Sequence, residues 1–161
     1  MADKVKTIPK GYRTVNAYLI IKGVPEALEF YKKAFNAKEI LRMPGPDGKI
    51  RHAEVKIGNT IVMMGEETQE MGALSPNSIG GSATYLYLYV RNCDRVFKRA
   101  VKAGATVLKE PADQYYGDRS GAVKDPFGHL WGIATHKEDL TPEQLAQRAQ
   151  AFYASVDPGK Q

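Results

Sequence analysis

Thr84-Tyr85-Leu86-Tyr87-Leu88-Tyr89-Val90 is the stretch on which the fold turns. Side chains alternate across an extended strand, so Tyr85, Tyr87 and Tyr89 share one face while Leu86, Leu88 and Val90 share the other. Every residue in the run favours strand, and the period of two is unbroken. The leucine face suits a core. The tyrosine face suits a half-wet concave surface, because a ring wants burial while its hydroxyl wants a hydrogen-bond partner. It is therefore the candidate wall of a ligand cleft, the alternative being an ordinary solvent-facing or interface side of a sheet.

Working outward, the same series of elements surrounds this strand twice. Val15 to Ile21 reads as a strand, and a helix starts near Pro25, where proline suits a first turn. Ala27, Leu28, Tyr31, Ala34 and Phe35 recur at helical spacing on one apolar face, and Asn36 suits a left-handed cap. Strands follow at 38–43, 49–57 and 60–64, separated by the turns Pro44-Gly45-Pro46-Asp47-Gly48 and Gly58-Asn59. Residues 66–81 carry Gly, Ser, Pro and Asn without periodicity. The tyrosine strand then leads into a helix with Val96, Phe97, Ala100 and Val101 inward, stopped near Gly104. A strand at 106–109, a loop at 110–118 and strands at 119–124 and 129–135 complete the second series, the last two joined by Asp125-Pro126-Phe127-Gly128.

One offset relates the halves: Asn16 to Tyr85, Ile21 to Val90 and Met63 to Gly132 are each 69 residues apart. So long a period marks a duplicated module. The expected fold is α+β, with two βαβββ modules at 13–65 and 83–136 forming paired curved sheets around a cleft. The linker is 66–82, residues 1–12 are a flexible lead, and 137–161 form a helical extension. Thr141-Pro142-Glu143-Gln144 starts that helix, and Leu145, Ala149 and Phe152 give it one apolar side for packing or dimerisation.

The 161 residues suffice for a core without metal or disulfide staples. A hydrophobic fraction of 43% with 25% charged residues excludes a wholly disordered chain. The single cysteine, Cys93, forms no internal disulfide, and no apolar run reaches signal-peptide or membrane-span length, so a cytoplasmic protein with no membrane partner is expected. The net charge of +5 is spread among acids without a basic stripe, so no nucleic-acid partner is expected.

The chain resembles the vicinal oxygen chelate superfamily of glyoxalases, bleomycin-resistance proteins and dioxygenases, and within it the PhnB-like branch. The resemblance spans Gly11 to His136. It is carried by the duplicated module, by Val15-Asn16-Ala17-Tyr18-Leu19, by Ala27 to Phe35, by Gly117-Asp118-Arg119, and by Asp125-Pro126-Phe127-Gly128-His129-Leu130-Trp131. It implies that metal-using members bear one ligand on each of four strands, at positions that align here with Asn16, Met63, Tyr85 and Gly132. None of these supplies an imidazole, carboxylate or thiolate, so neither metal nor other cofactor is expected.

Asn16, Tyr18, Met63, Tyr85, Tyr87 and Gly132 would instead line an aromatic pocket with a few polar tips. Arg119, after Gln114-Tyr115-Tyr116-Gly117-Asp118, is placed to clamp a carboxylate or phosphate, with Tyr115 or Tyr116 covering the ligand. The alternative is that Asp118 pairs with a base and the loop only closes the sheet edge. His52 and Glu54 alternate with Ala53, Val55 and Ile57 and so face the cleft, as a candidate acid–base pair. Trp131 is expected on the helix side, His129 in a structural turn, His136 in solvent, and Cys93 without a nucleophile's neighbours.

The leading expectation is a homodimer that binds a small aromatic or amphipathic molecule in a metal-free cleft. The alternatives are a glyoxalase-like lyase, isomerase or dioxygenase-type enzyme, using a shifted metal site or acid–base catalysis, and a protein-interaction module presenting its tyrosine face.

Overall fold

The computed structural model describes residues 5–156. Its strands and helices follow the duplicated pattern: β1 (Tyr18–Ile21), α1 (Val24–Phe35), β2 (Lys38–Pro44), β3 (Ile50–Ile57), β4 (Thr60–Glu66), then a one-turn α2 (Pro76–Ile79), and β5 (Tyr85–Tyr89), α3 (Cys93–Lys102), β6 (Thr106–Asp113), β7 (Asp118–Lys124), β8 (Leu130–His136), with α4 (Pro142–Val156) last. Two four-stranded sheets result, ordered β1-β4-β3-β2 and β5-β8-β7-β6. In each, the first strand runs parallel to the last of its module and the remaining pairs are antiparallel.

The register places the repeat on an atomic footing. Tyr18 lies opposite Met63 in the first sheet, and Tyr87 lies opposite Gly132 in the second. The helix starts match as well. Gly23 offers α1 no side-chain cap, so Glu66, at the end of β4, accepts from the Gly23 and Val24 amides at 2.8 and 3.0 Å. Thr135, at the equivalent place in β8, accepts from the Cys93 amide at 2.9 Å. Both satisfy amides that a helix N-terminus leaves orphaned.

One face of each sheet and the inner faces of α1 and α3 share a single core. Leu28, Tyr31 and Phe35 of α1 meet Phe97 of α3 and Trp131 of β8 there, with Phe35 and Trp131 ring centroids 4.5 Å apart. At its centre is Asp125, buried in the β7–β8 turn. Its Oδ1 accepts from the Phe127 and His129 amides, both at 2.9 Å, and its Oδ2 accepts from Tyr31 Oη at 2.8 Å and Trp131 Nε1 at 2.9 Å. Burial, with Asp125 beside it, pushes the Tyr31 phenol well above its ordinary range.

Several boundaries differ from the sequence expectation. β1 starts at Tyr18 because the Asn16 side chain bonds both the amide and the carbonyl of Arg13, folding a local turn in place of strand. β6 runs on to Asp113, through the stretch expected to be a loop. Pro111 is tolerated because β6 is an edge strand with two register irregularities. The segment between modules is folded: a 3-10 turn (Gln69–Met71) precedes α2, whose Asn77 donates to the Pro126 carbonyl at 3.0 Å. Of the lead, residues 1–4 lie outside the described residues; Pro9 to Tyr12 forms a turn. Residues 157–161 of the extension lie outside them too.

Asp125→Ala strands the indole, phenol and two amide donors together. We expect a loss of about 3 kcal/mol or more in urea unfolding followed by the fluorescence of Trp131, with Tyr31→Phe costing clearly less. Equal stability of Asp125→Ala and the parent would contradict the junction's role.

Candidate functional site

The face of each sheet turned away from the helices carries the chemistry. In the first sheet β3 sends Ala53, Val55 and Ile57 into the core and leaves His52 and Glu54 on the open side. The register sets Glu54 beside Met63, which in turn lies opposite Tyr18. Four side chains are linked in series. Tyr18 Oη is 3.1 Å from His52 Nδ1, His52 Nε2 is 2.9 Å from Glu54 Oε1, and Tyr12 Oη donates to Glu54 Oε2. Burial pushes the Glu54 carboxyl up, but the hydrogen bonds from His52 and Tyr12 outweigh it and hold it below the usual carboxylate value. Glu54 is thus an ionised acceptor only 5% exposed.

In the second sheet Tyr85 and Tyr87 lie over Gly132. A β-carbon at Gly132 would come within 2.6 Å of the Tyr87 ring and 3.0 Å of the Tyr85 ring, so the missing side chain is what lets both rings settle onto the sheet. Tyr87 Oη is 3.3 Å from Tyr116 Oη, which is 3.1 Å from Ser120 Oγ. Tyr89 donates to the buried Asp118 at 2.9 Å. Burial foremost raises the phenols of Tyr85 and Tyr87, whereas the bond to Asp118 does so for Tyr89. Tyr87 and Tyr89 remain 44% and 61% exposed despite these tethers, Tyr85 is 49% exposed, and Tyr18 48%. Among the described residues no hydrogen bond joins the Tyr18–His52–Glu54 series to these tyrosines.

The structure therefore gathers Tyr18, His52, Glu54 and Met63 on one open face, and Tyr85, Tyr87, Tyr116 and Gly132 on the other. Three expected site residues do not join them. Asn16 spends its amide on Arg13. Tyr115 stands at the rim, stacked on Phe152 of α4 at 4.9 Å and 3.2 Å from Tyr153 Oη. Arg119 points to the helix side of β7, where all three guanidinium nitrogens engage carboxylates: Nε and Nη2 bond Asp94 at 2.8 Å each, and Nη1 bonds Asp113 at 3.2 Å. That guanidinium holds Asp94 down to about 2. It ties β7 to α3 and is not free to clamp a ligand.

Other residues emerge only from the structure. Tyr12 reaches Glu54 across a long sequence separation that no local pattern signals. His136 is held between Asp118 at 2.8 Å and Asp139 at 3.0 Å. Its place on the Gly132–Ala134–His136 side of β8 was legible as alternation, once the strand is extended by one residue. Cys93 is buried, and burial raises its thiol, the opposite of the shift that favours a thiolate.

A family model described as the Glyoxalase/Bleomycin resistance protein/Dioxygenase superfamily matches residues 14–133. The chain belongs to this superfamily. The uncharacterised protein Mb0911c of Mycobacterium bovis is 37% identical over 134 residues, covering 81% of this chain and 88% of the relative. TioX from Micromonospora sp. ML1 is 29% identical and superposes with a TM-score of 0.61 over 77% of this chain and 98% of its own. A PhnB protein from Bacillus cereus, 16% identical, shares the fold with a TM-score of 0.60 over 76% of this chain and 99% of its own. The four positions that the resemblance aligns with the ligands of metal-using members hold an amide bonded to Arg13, a thioether, a phenol and a glycine covered by two rings. This donor set does not fit zinc, iron or manganese. His52 and Glu54 bond each other, and among the described residues no cluster of three or more His, Cys, Asp or Glu is arranged to hold a metal ion.

The bond to Asp118, then that to Asp139, raises His136 above its ordinary 6.5. A raised folded value means that the stabilisation is fully present below the unfolded value and is lost as pH rises through the folded one. An NMR titration of the His136 imidazole should show a midpoint above 6.5, lowered by Asp118→Asn. A midpoint at or below 6.5 in the parent would contradict the pairing.

Proposed function

We propose that this superfamily member is a homodimer that binds a small aromatic or amphipathic molecule against its open tyrosine-bearing faces, without a metal. The observation that carries this reading is the arrangement around Gly132: the rings of Tyr85 and Tyr87 are laid on the sheet, the Tyr87 hydroxyl is within 3.3 Å of that of Tyr116, and nearly half of each of the two residues is open. Ordered phenols are suited to stacking on a flat ligand at low entropic cost, each favourable ring pair adding about 0.5–1.5 kcal/mol beyond area burial. The carboxylates on these faces, Glu54 and Asp118, already accept from histidines, and Arg119 is turned away. The ligand class favoured is therefore an uncharged or weakly basic ring system rather than a carboxylate or phosphate. A second copy of the chain is the partner that would enclose faces left open in one copy.

The test is a thermal-shift screen of planar aromatic compounds, with and without a chelator. A compound at a hundredfold its Kd stabilises by about 2.7 kcal/mol, which for a chain of this size is about 8 °C. We expect such a shift to be indifferent to the chelator and lost in Tyr87→Ala, together with a dimer in sedimentation analysis. A shift that requires added divalent metal, or that survives Tyr87→Ala and Tyr85→Ala together, would overturn the reading.

A further inference from the structure

The series on the first sheet has the form of a nucleophile, its base and the group that orients the base. Glu54 is ionised and buried, hence an acceptor only, so the His52 Nε2 that lies 2.9 Å from it carries the proton. In the neutral imidazole Nδ1 is then bare, and at 3.1 Å it accepts from the Tyr18 hydroxyl. The second Glu54 oxygen is held by Tyr12, so the carboxylate cannot swing away from His52. Each hydrogen bond thus leads a proton inward from Tyr18, and the imidazolium formed would lie against an anion. The outer end of the series is accessible: Tyr18 is 48% exposed, while the His52 side chain is 23% and the Glu54 side chain 7% exposed. Gly65 makes the approach possible. A β-carbon there would stand 2.7 Å from Tyr18 Oη, so any side chain would push the hydroxyl off His52.

We propose that Tyr18 is an activated nucleophile toward acyl-type electrophiles such as aryl esters, with His52 as its base and Glu54 as the positioning residue. Nucleophile and base within hydrogen-bond reach, with the base held by a third group, is the general geometry of covalent catalysis. With an aryl ester, Tyr18 Oη forms a bond to the carbonyl carbon and the carbon–aryloxide bond breaks. The phenolic proton passes to His52 Nδ1 and from there to the departing aryloxide. Water then releases the acid from Tyr18, giving one proton to His52, which returns it to the tyrosine oxygen. No oxidant, reductant or metal enters the balance. This activity is separate from the holding of a ligand by the β5 tyrosines.

Phenylmethanesulfonyl fluoride is the probe, because it traps the first half-step: the Tyr18 oxygen bonds sulfur, fluoride leaves, and the sulfonate ester persists for peptide mass spectrometry. Tyr153 and Tyr85, 58% and 49% exposed, serve as references within the same molecule. The expected result is labelling of Tyr18 at least tenfold faster than of either reference. His52→Asn should reduce Tyr18 to the reference rate and Glu54→Gln should slow it, with Tyr153 labelling unchanged in both as the control for folding. Equal rates at Tyr18 and Tyr153 in the parent protein would overturn the proposal, a comparison that needs no variant to fold. So would a Tyr18 rate unaltered by His52→Asn or by Glu54→Gln.

Discussion

Asp125 is one carboxylate in a tight turn, and it makes two modules into one molecule. Two of its four accepted hydrogen bonds close the β7–β8 turn, a third fixes the indole of Trp131, and the fourth crosses to Tyr31 on the helix of the other module. A buried carboxylate is costly to desolvate, and the cost is offset only where its lone pairs are occupied. Here they are occupied by groups that would themselves be stranded without it. The helix sides of both sheets are thereby committed to a common core, and the linker is laid over the same turn through Asn77.

Once one face of each sheet is spent on that core, the opposite faces are what remains for function. They are built by the same rule and filled differently. At the equivalent tyrosines, Tyr18 leans over Gly65 to reach a histidine, and Tyr87 lies over Gly132 beside Tyr85 and reaches another tyrosine. The missing side chain differs in position, and with it the chemistry: a proton relay on one sheet and an aromatic floor on the other. Duplication has supplied two scaffolds, and a few residues per sheet have given each its own character.

Much of this was legible in the residues because it rests on local periodicity. Alternation in Thr84 to Val90 and in β3 identified the open faces, alternation with Gly132 put Trp131 in the core, and the 69-residue offset identified the modules. What escaped depends on contacts between distant segments. Tyr12 seemed part of a featureless lead because its partner, Glu54, lies in β3. Arg119 seemed a ligand clamp because a loop arginine beside aromatic residues suits that role, while the competing carboxylate, Asp94, lies on α3. The stretch 110–113 reads as loop in the sequence, where the chain continues β6 as an edge strand that accommodates Pro111.

The proposal is that these faces work through tyrosines and a histidine–carboxylate pair, without a metal at the four positions that the resemblance aligns with metal ligands. Elemental analysis after dialysis against zinc, nickel, iron and manganese, on protein purified without chelator, tests it most directly. The account predicts well below one equivalent of any of these metals per chain. One full equivalent that is lost on changing Met63 or Tyr85 to alanine would contradict it.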